Sequence, residues 1–189
     1  MDKTHDSPVL VALAGLFAGM LGALAVTVMV AFGRTVMAGA DEPAEPAGDA
    51  GISAGEALSD GPAMPPDMNR VTATFVQKIA TGIFGTSLDT RQQYLAGTAW
   101  HLAYGGFWGM LYALLQSSVR IPALLLGPVW GTGVWVVGPG WLVPKMKLML
   151  PPGKQRPHLT AMVVGVHVAY GAIVALVFNA LRNHALVRP

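Results

Sequence analysis

The segment His101-Leu102-Ala103-Tyr104-Gly105 returns as His167-Val168-Ala169-Tyr170-Gly171, 66 residues further on and again inside a long apolar run. A histidine and a tyrosine three residues apart share one face of a helix. Two such pairs in apolar sequence have two chemistries open to them. Imidazoles and hydroxyls can hydrogen-bond across helices, each bond contributing about 0.6 kcal/mol on average. Alternatively, His101 and His167 can be the axial ligands of a haem b held between facing helices, with Tyr104 and Tyr170 one turn along and able to bond an imidazole. A zinc site is a poor fit, since four ligands are usual and no acid or cysteine lies near either histidine. No metal is therefore expected.

Around these pairs the residues are small. Gly97, His101, Gly105 and Gly109 advance by four, and Gly171 and Ala175 follow His167 at the same spacing. Gly15-x-x-x-Gly19 precedes the first histidine segment, and Gly127-x-x-x-Gly131 precedes the second. Gly15, Ala18, Gly19, Gly22 and Ala25 form one continuous small face. Such faces let helices approach closely in lipid. The packing positions expected are Gly15, Gly19, Gly22, Gly97, Gly105, Gly109, Gly127, Gly131 and Gly171. In the haem reading, the glycines beside the histidines leave room for the macrocycle.

The totals say what surrounds these elements. Of 189 residues, 53% are hydrophobic and 12% charged, with a mean hydropathy of +0.50; soluble chains carry about 25% charge. There is no cysteine, which excludes disulfides and thiolate chemistry. All ten acids lie at or before Asp89, and the eight Lys and Arg from Thr90 onward bracket apolar runs. That layout is not a solvated basic patch and argues against nucleic acid.

In chain order, residues 1–37 carry a first transmembrane helix, Val9 to Gly33, where roughly 20 residues suffice. A signal peptide ending near Ala38-Gly39-Ala40 is the rival, but signal cores run about 7–15 residues, so a retained helix is expected. Residues 38–68 form an acidic Pro/Ala/Gly linker, expected to be disordered. Residues 69–86 read as an interfacial amphipathic helix with Val71, Phe75, Ile79 and Ile83 on one stripe. Residues 87–189 hold three more spans, at about 94–115, 121–144 and 159–181. Gly138-Pro139-Gly140 is expected to kink or break the third, because proline lacks a donor and clashes with the preceding turn; a plain helix terminus is the reading preferred over a break that lines a binding site.

The fold class expected is an all-α membrane protein. Its four transmembrane helices form two repeated parallel hairpins about an axis along the membrane normal. The second and fourth spans then run together, with both histidines at one depth, roughly 11 Å below a surface. Eight Lys and Arg flank the side of the 1–2 and 3–4 loops and four the other, which by the positive-inside rule puts both termini outside.

This pattern resembles the YagU-like family of small bacterial inner-membrane proteins. The resemblance rests on the four-span layout, Pro65-Pro66 after the first span, and His101 and His167 opening the second and last. It implies an integral inner-membrane protein linked to stress or acid tolerance, with no catalytic residues to carry over. The repeated Tyr-Gly pair is a local feature, since the aromatic after the family histidine varies.

No Asp, Glu, Lys or Arg falls within the spans as drawn, which argues against a carboxylate-coupled pump or a charged selectivity ring. There is no nucleophile elbow, P-loop, HExxH or paired acid. The expectation is a non-enzymatic helix-packing accessory or stress-associated protein without a cofactor. Its partners would be the lipid bilayer and a second copy or a larger membrane complex, met through Gly15 and Gly19. A bis-histidine haem b electron-transfer protein is the first alternative and a small-solute transporter the second.

Overall fold

The computed structural model describes residues 7–38 and 68–184, so all but the ends of the acidic linker lies outside the described residues. Described residues are helical apart from short connections, with no strand among them. The helices are α1 (Pro8–Ala38), α2 (Met68–Phe84), α3 (Thr90–Ser118), α4 (Ala123–Val137), α5 (Val143–Lys145) and α6 (Pro157–His184). Three stretches are long and apolar enough to cross a membrane: Pro8–Phe32, Ala123–Lys145 and Pro157–Asn183. With 29 residues α3 has the length, but Gln92, Gln93, His101 and its glycines lower its apolarity.

Local chemistry sets the helix ends. The Gln92 amide donates to Asp89 Oδ1 at 2.8 Å, and the Asp89 amide donates to Gln92 Oε1 at 3.0 Å. This reciprocal capping box starts α3 at Thr90, a turn before the apolar pattern begins. Pro157 opens α6, where its missing N–H removes no bond.

Gly138-Pro139-Gly140 does not end the third apolar helix. The chain passes through one π-turn, Gly138–Leu142, in which the Val143 amide donates to the Gly138 carbonyl. Pro139 offers no N–H to the Trp135 carbonyl, and the wider turn relieves the clash of its ring with that carbonyl. Gly140 permits the close pass, since a Cβ there would lie 3.2 Å from the Trp135 oxygen.

The chain divides into two compact units. In the first, formed by residues 1–26, 101–134 and 165–189, α1 buries Val11, Ala14, Ala18, Ala23 and Val26. It leaves Leu13, Phe17 and Leu24 exposed. Gly15 lies against Gly109 and Ala113, and Gly19 against Gly105, so α1 and α3 are antiparallel. Gly127 lies against Gly171 and Ala175, and Gly131 against His167, so α4 and α6 are antiparallel too. Tyr170 reaches Gly105 and Phe178 meets Tyr112, contacts that advance together, so α3 and α6 run in one direction. Tyr112, Val174 and Phe178 fill the centre at 0–1% exposure. The Tyr112 hydroxyl donates to Gln116 Oε1, and Gln116 Nε2 donates to the Ile121 carbonyl, bracing the turn from α3 to α4.

Among the described residues the second unit comprises 27–38, 68–100 and 135–164. Here α2 lies against the start of α3: a Cβ on Gly97 would lie 2.8 Å from the Ala73 nitrogen, and the Phe75 and Trp100 rings are 4.9 Å apart. Gly97, placed with His101 by its spacing, thus packs against α2. Val71, Phe75 and Ile79 are half-buried, whereas Ile83 is exposed.

Candidate functional site

The glycines define two helix crossings of the same construction. A Cβ added at Gly109 would meet the Gly15 carbonyl and the Gly19 backbone; one at Gly171 would meet the Gly127 carbonyl and the Gly131 backbone. Likewise Gly15 faces Ala113, and Gly127 faces Ala175. Gly109 and Gly171 are 62 residues apart, as are Ala113 and Ala175, whereas the histidine segments are 66 apart. The two registers differ by about one helical turn. In the α4–α6 crossing the His167 carbonyl therefore faces Gly131, as the Gly105 carbonyl faces Gly19 in the α1–α3 crossing. Gly22 adds a third contact, against Val174 and Tyr170 of α6.

These contacts bear on two sequence expectations. The small face of α1 is covered by α3 and α6 of its own chain, so Gly15 and Gly19 are not open to a second copy. Moreover, Gly105, Gly109 and Gly171 leave no room for a macrocycle. Gly105 is filled by Ala23, Gly19 and Tyr170, and the other two by the opposing glycine backbones. In lipid the backbone-to-backbone approach is itself the attraction, so such faces close on each other.

The polar groups lie beside the first crossing. His101 hydrogen-bonds the backbone of Ala23 on α1. Its Nε2 is buried without a hydrogen-bond partner among the described residues, whereas the buried Tyr104 hydroxyl and Trp108 Nε1 have each other within reach. Positions 101, 104 and 108 form one helix face, so these polar atoms follow a line along α3. The Tyr104 and Trp108 rings meet edge to face at 6.0 Å. Trp130 of α4 donates through Nε1 to the Trp108 carbonyl at 3.2 Å, its ring 5.7 Å from that of Trp108. From the sequence Trp108 reads only as one of the aromatics of the second span, with Tyr94, Trp100 and Tyr112, and Trp130 is not singled out; the spacing of Trp108 from His101 is the signal that places it here.

Tyr170 does not bond an imidazole. Its hydroxyl donates to the Gly105 carbonyl at 2.6 Å across the α3–α6 seam. Gly105 has no side chain to shield that carbonyl, whose second lone pair is free to accept. Tyr170→Phe is expected to cost about 0.6 kcal/mol, and no more than about 1.7, the range for interhelical bonds in membranes. Reversible unfolding in mixed micelles measures it.

His101 retains one feature of a metal ligand: one side of the ring is held by a carbonyl while Nε2 is left open. The surroundings do not extend it. Among the described residues no group of three or more His, Cys, Asp or Glu is placed to hold a metal ion, and the Tyr170 side chain occupies the seam beside Gly105.

No known protein family, curated protein or solved structure matches the chain.

Proposed function

We propose that this chain is a non-enzymatic, four-span membrane protein whose role rests on helix packing, as an accessory within a larger membrane assembly. The carrying observation is the pair of glycine crossings. They hold α3 against α1, and α4 against α6, at backbone distance. A helix packed this closely along a membrane-long neighbour shares its depth, which makes α3 the fourth span despite its polar residues. Two antiparallel hairpins with α3 and α6 parallel form a repeat about the membrane normal, slipped by one turn at the histidines. No charged residue is buried among the described residues, which favours a packing role over ion coupling. Exposed Leu13, Phe17, Leu124 and Leu125 face lipid or a partner helix. With both termini outside, the four-span layout fits a bacterial inner-membrane protein, as the YagU-like resemblance implies.

In this reading His101 is structural, anchoring α3 to Ala23. Purified protein is expected to be colourless, with no Soret band. A Soret band that His101→Ala or His167→Ala abolishes would replace the accessory role with electron transfer through haem b.

A further inference from the structure

At the end of the third apolar helix, a lysine occupies a backbone position that suits glycine. The Lys147 amide donates to the Pro144 carbonyl at 2.9 Å and the Leu148 amide to the Val143 carbonyl at 3.2 Å. This pair of bonds is a Schellman motif with Lys147 at its left-handed residue, and its φ of 57° is the one positive value at a non-glycine among the described residues. Glycine is the usual occupant, because a Cβ is strained there. Leu148, the residue after the left-handed position, is buried at 2% exposure. Nothing in the cap itself requires a lysine. A cation does favour a helix C-terminus, but Lys145 already supplies one in the last turn.

Two further cations converge on this turn. Lys78 Nζ donates to the Met146 carbonyl at 3.0 Å, and Lys145 Nζ lies 4.9 Å from the centre of the Trp141 ring. All three lysines are exposed, and Trp141 is 58% exposed. The one acidic residue among the described residues is Asp89. Lys145 is also the last residue of a membrane-long stretch, and Pro157 begins the next. The turn is thus tethered at the bilayer surface from both ends, where tryptophan anchors at the headgroup level.

We propose that Lys145, Lys147 and Trp141, with Lys78 behind them, form a binding site for the phosphate of an anionic phospholipid headgroup. The indole sits among the headgroups and the ammonium groups supply the countercharge. The site rests on the membrane reading above. A lipid is favoured over a soluble anion because the indole and the two flanking spans place the lysines at the headgroup layer.

The test uses the full chain reconstituted in vesicles of equal phosphatidylglycerol and phosphatidylcholine, with native mass spectrometry reading which lipid stays bound. The wild type should retain phosphatidylglycerol in excess. Lys147→Gly should lower that excess about fivefold, equivalent to roughly 1 kcal/mol per basic residue at a membrane surface, while holding or raising thermal stability by relieving the strained backbone. Lys145→Gln with Lys147→Gly should bring the two lipids close to parity. Equal retention in the wild type, or an excess unchanged in Lys147→Gly, overturns the site. Loss of the excess on adding inorganic phosphate overturns its assignment to lipid. Protein stripped from the vesicles by alkaline wash overturns the membrane reading and the site with it; protein that resists the wash but shows parity overturns the site alone.

Discussion

Alanine at Gly109 or Gly131 should destabilise the protein by about 1–3 kcal/mol, the usual cost of overpacking a filled core, and leucine at either should abolish the fold. A Cβ at Gly109 would lie 2.5 Å from the Gly19 Cα and 2.6 Å from its nitrogen. At Gly131 it would lie 2.9 Å from the His167 carbonyl carbon and 3.1 Å from the Gly171 nitrogen. These are backbone atoms of neighbouring helices, so no side chain can rotate away and the helices must separate. Gly133 and Gly165 are internal controls, for an added Cβ meets nothing within 4 Å at either. Alanine there should be neutral or stabilising by up to about 1 kcal/mol, the helix-propensity difference. Unfolding in mixed micelles distinguishes the two pairs. Equal effects at Gly109 and Gly165 would mean that the crossing is not formed.

Phe178→Ala should cost about 3 kcal/mol, at the lower end of the range for removing a buried aromatic ring. Phe178 is 1% exposed and meets the ring of Tyr112, itself 0% exposed, edge to face at 6.2 Å and 89°. In the proposed membrane setting lipid is as apolar as the core, so the loss is one of packing contacts and not of transfer from water. Leu176 on the same helix is 60% exposed, and Leu176→Ala should change stability by less than about 0.5 kcal/mol. Comparable losses at the two positions would contradict the assignment of the inner and outer faces of α6.

Spacing revealed the helices and their faces, because small residues recurring every four positions mark one side of a helix wherever it packs. It did not reveal which helix lies opposite. Every small face suits every other, so Gly15 and Gly19 read equally well as a seam between copies, whereas α3 of the same chain covers them. A slip of one turn also leaves a face unchanged. That is why the repeat at His101 and His167 did not disclose that the crossings match at Gly109 and Gly171. Pro139 marks an irregularity because an α-helix cannot accommodate its ring, but the sequence does not distinguish a helix end from the π-turn that accommodates the ring locally. The Asp89–Gln92 box is present in the sequence but stands outside the apolar pattern, since the helix begins before its first apolar residues. The repeat singles out Tyr170 but not its partner: its hydroxyl is satisfied by a backbone carbonyl, which no side-chain pattern records.

The central claim is that α3 crosses the bilayer as the fourth span. Because the chain lacks cysteine, single cysteines can be placed at Ser87, Ser118 and Gly153, all exposed in the connections or at a helix end, and probed with a thiol reagent that cannot cross the membrane. The four-span account predicts that Ser87→Cys and Gly153→Cys label from one side and Ser118→Cys from the other. Labelling of Ser87→Cys and Ser118→Cys from the same side would show that α3 does not cross, and would contradict the account.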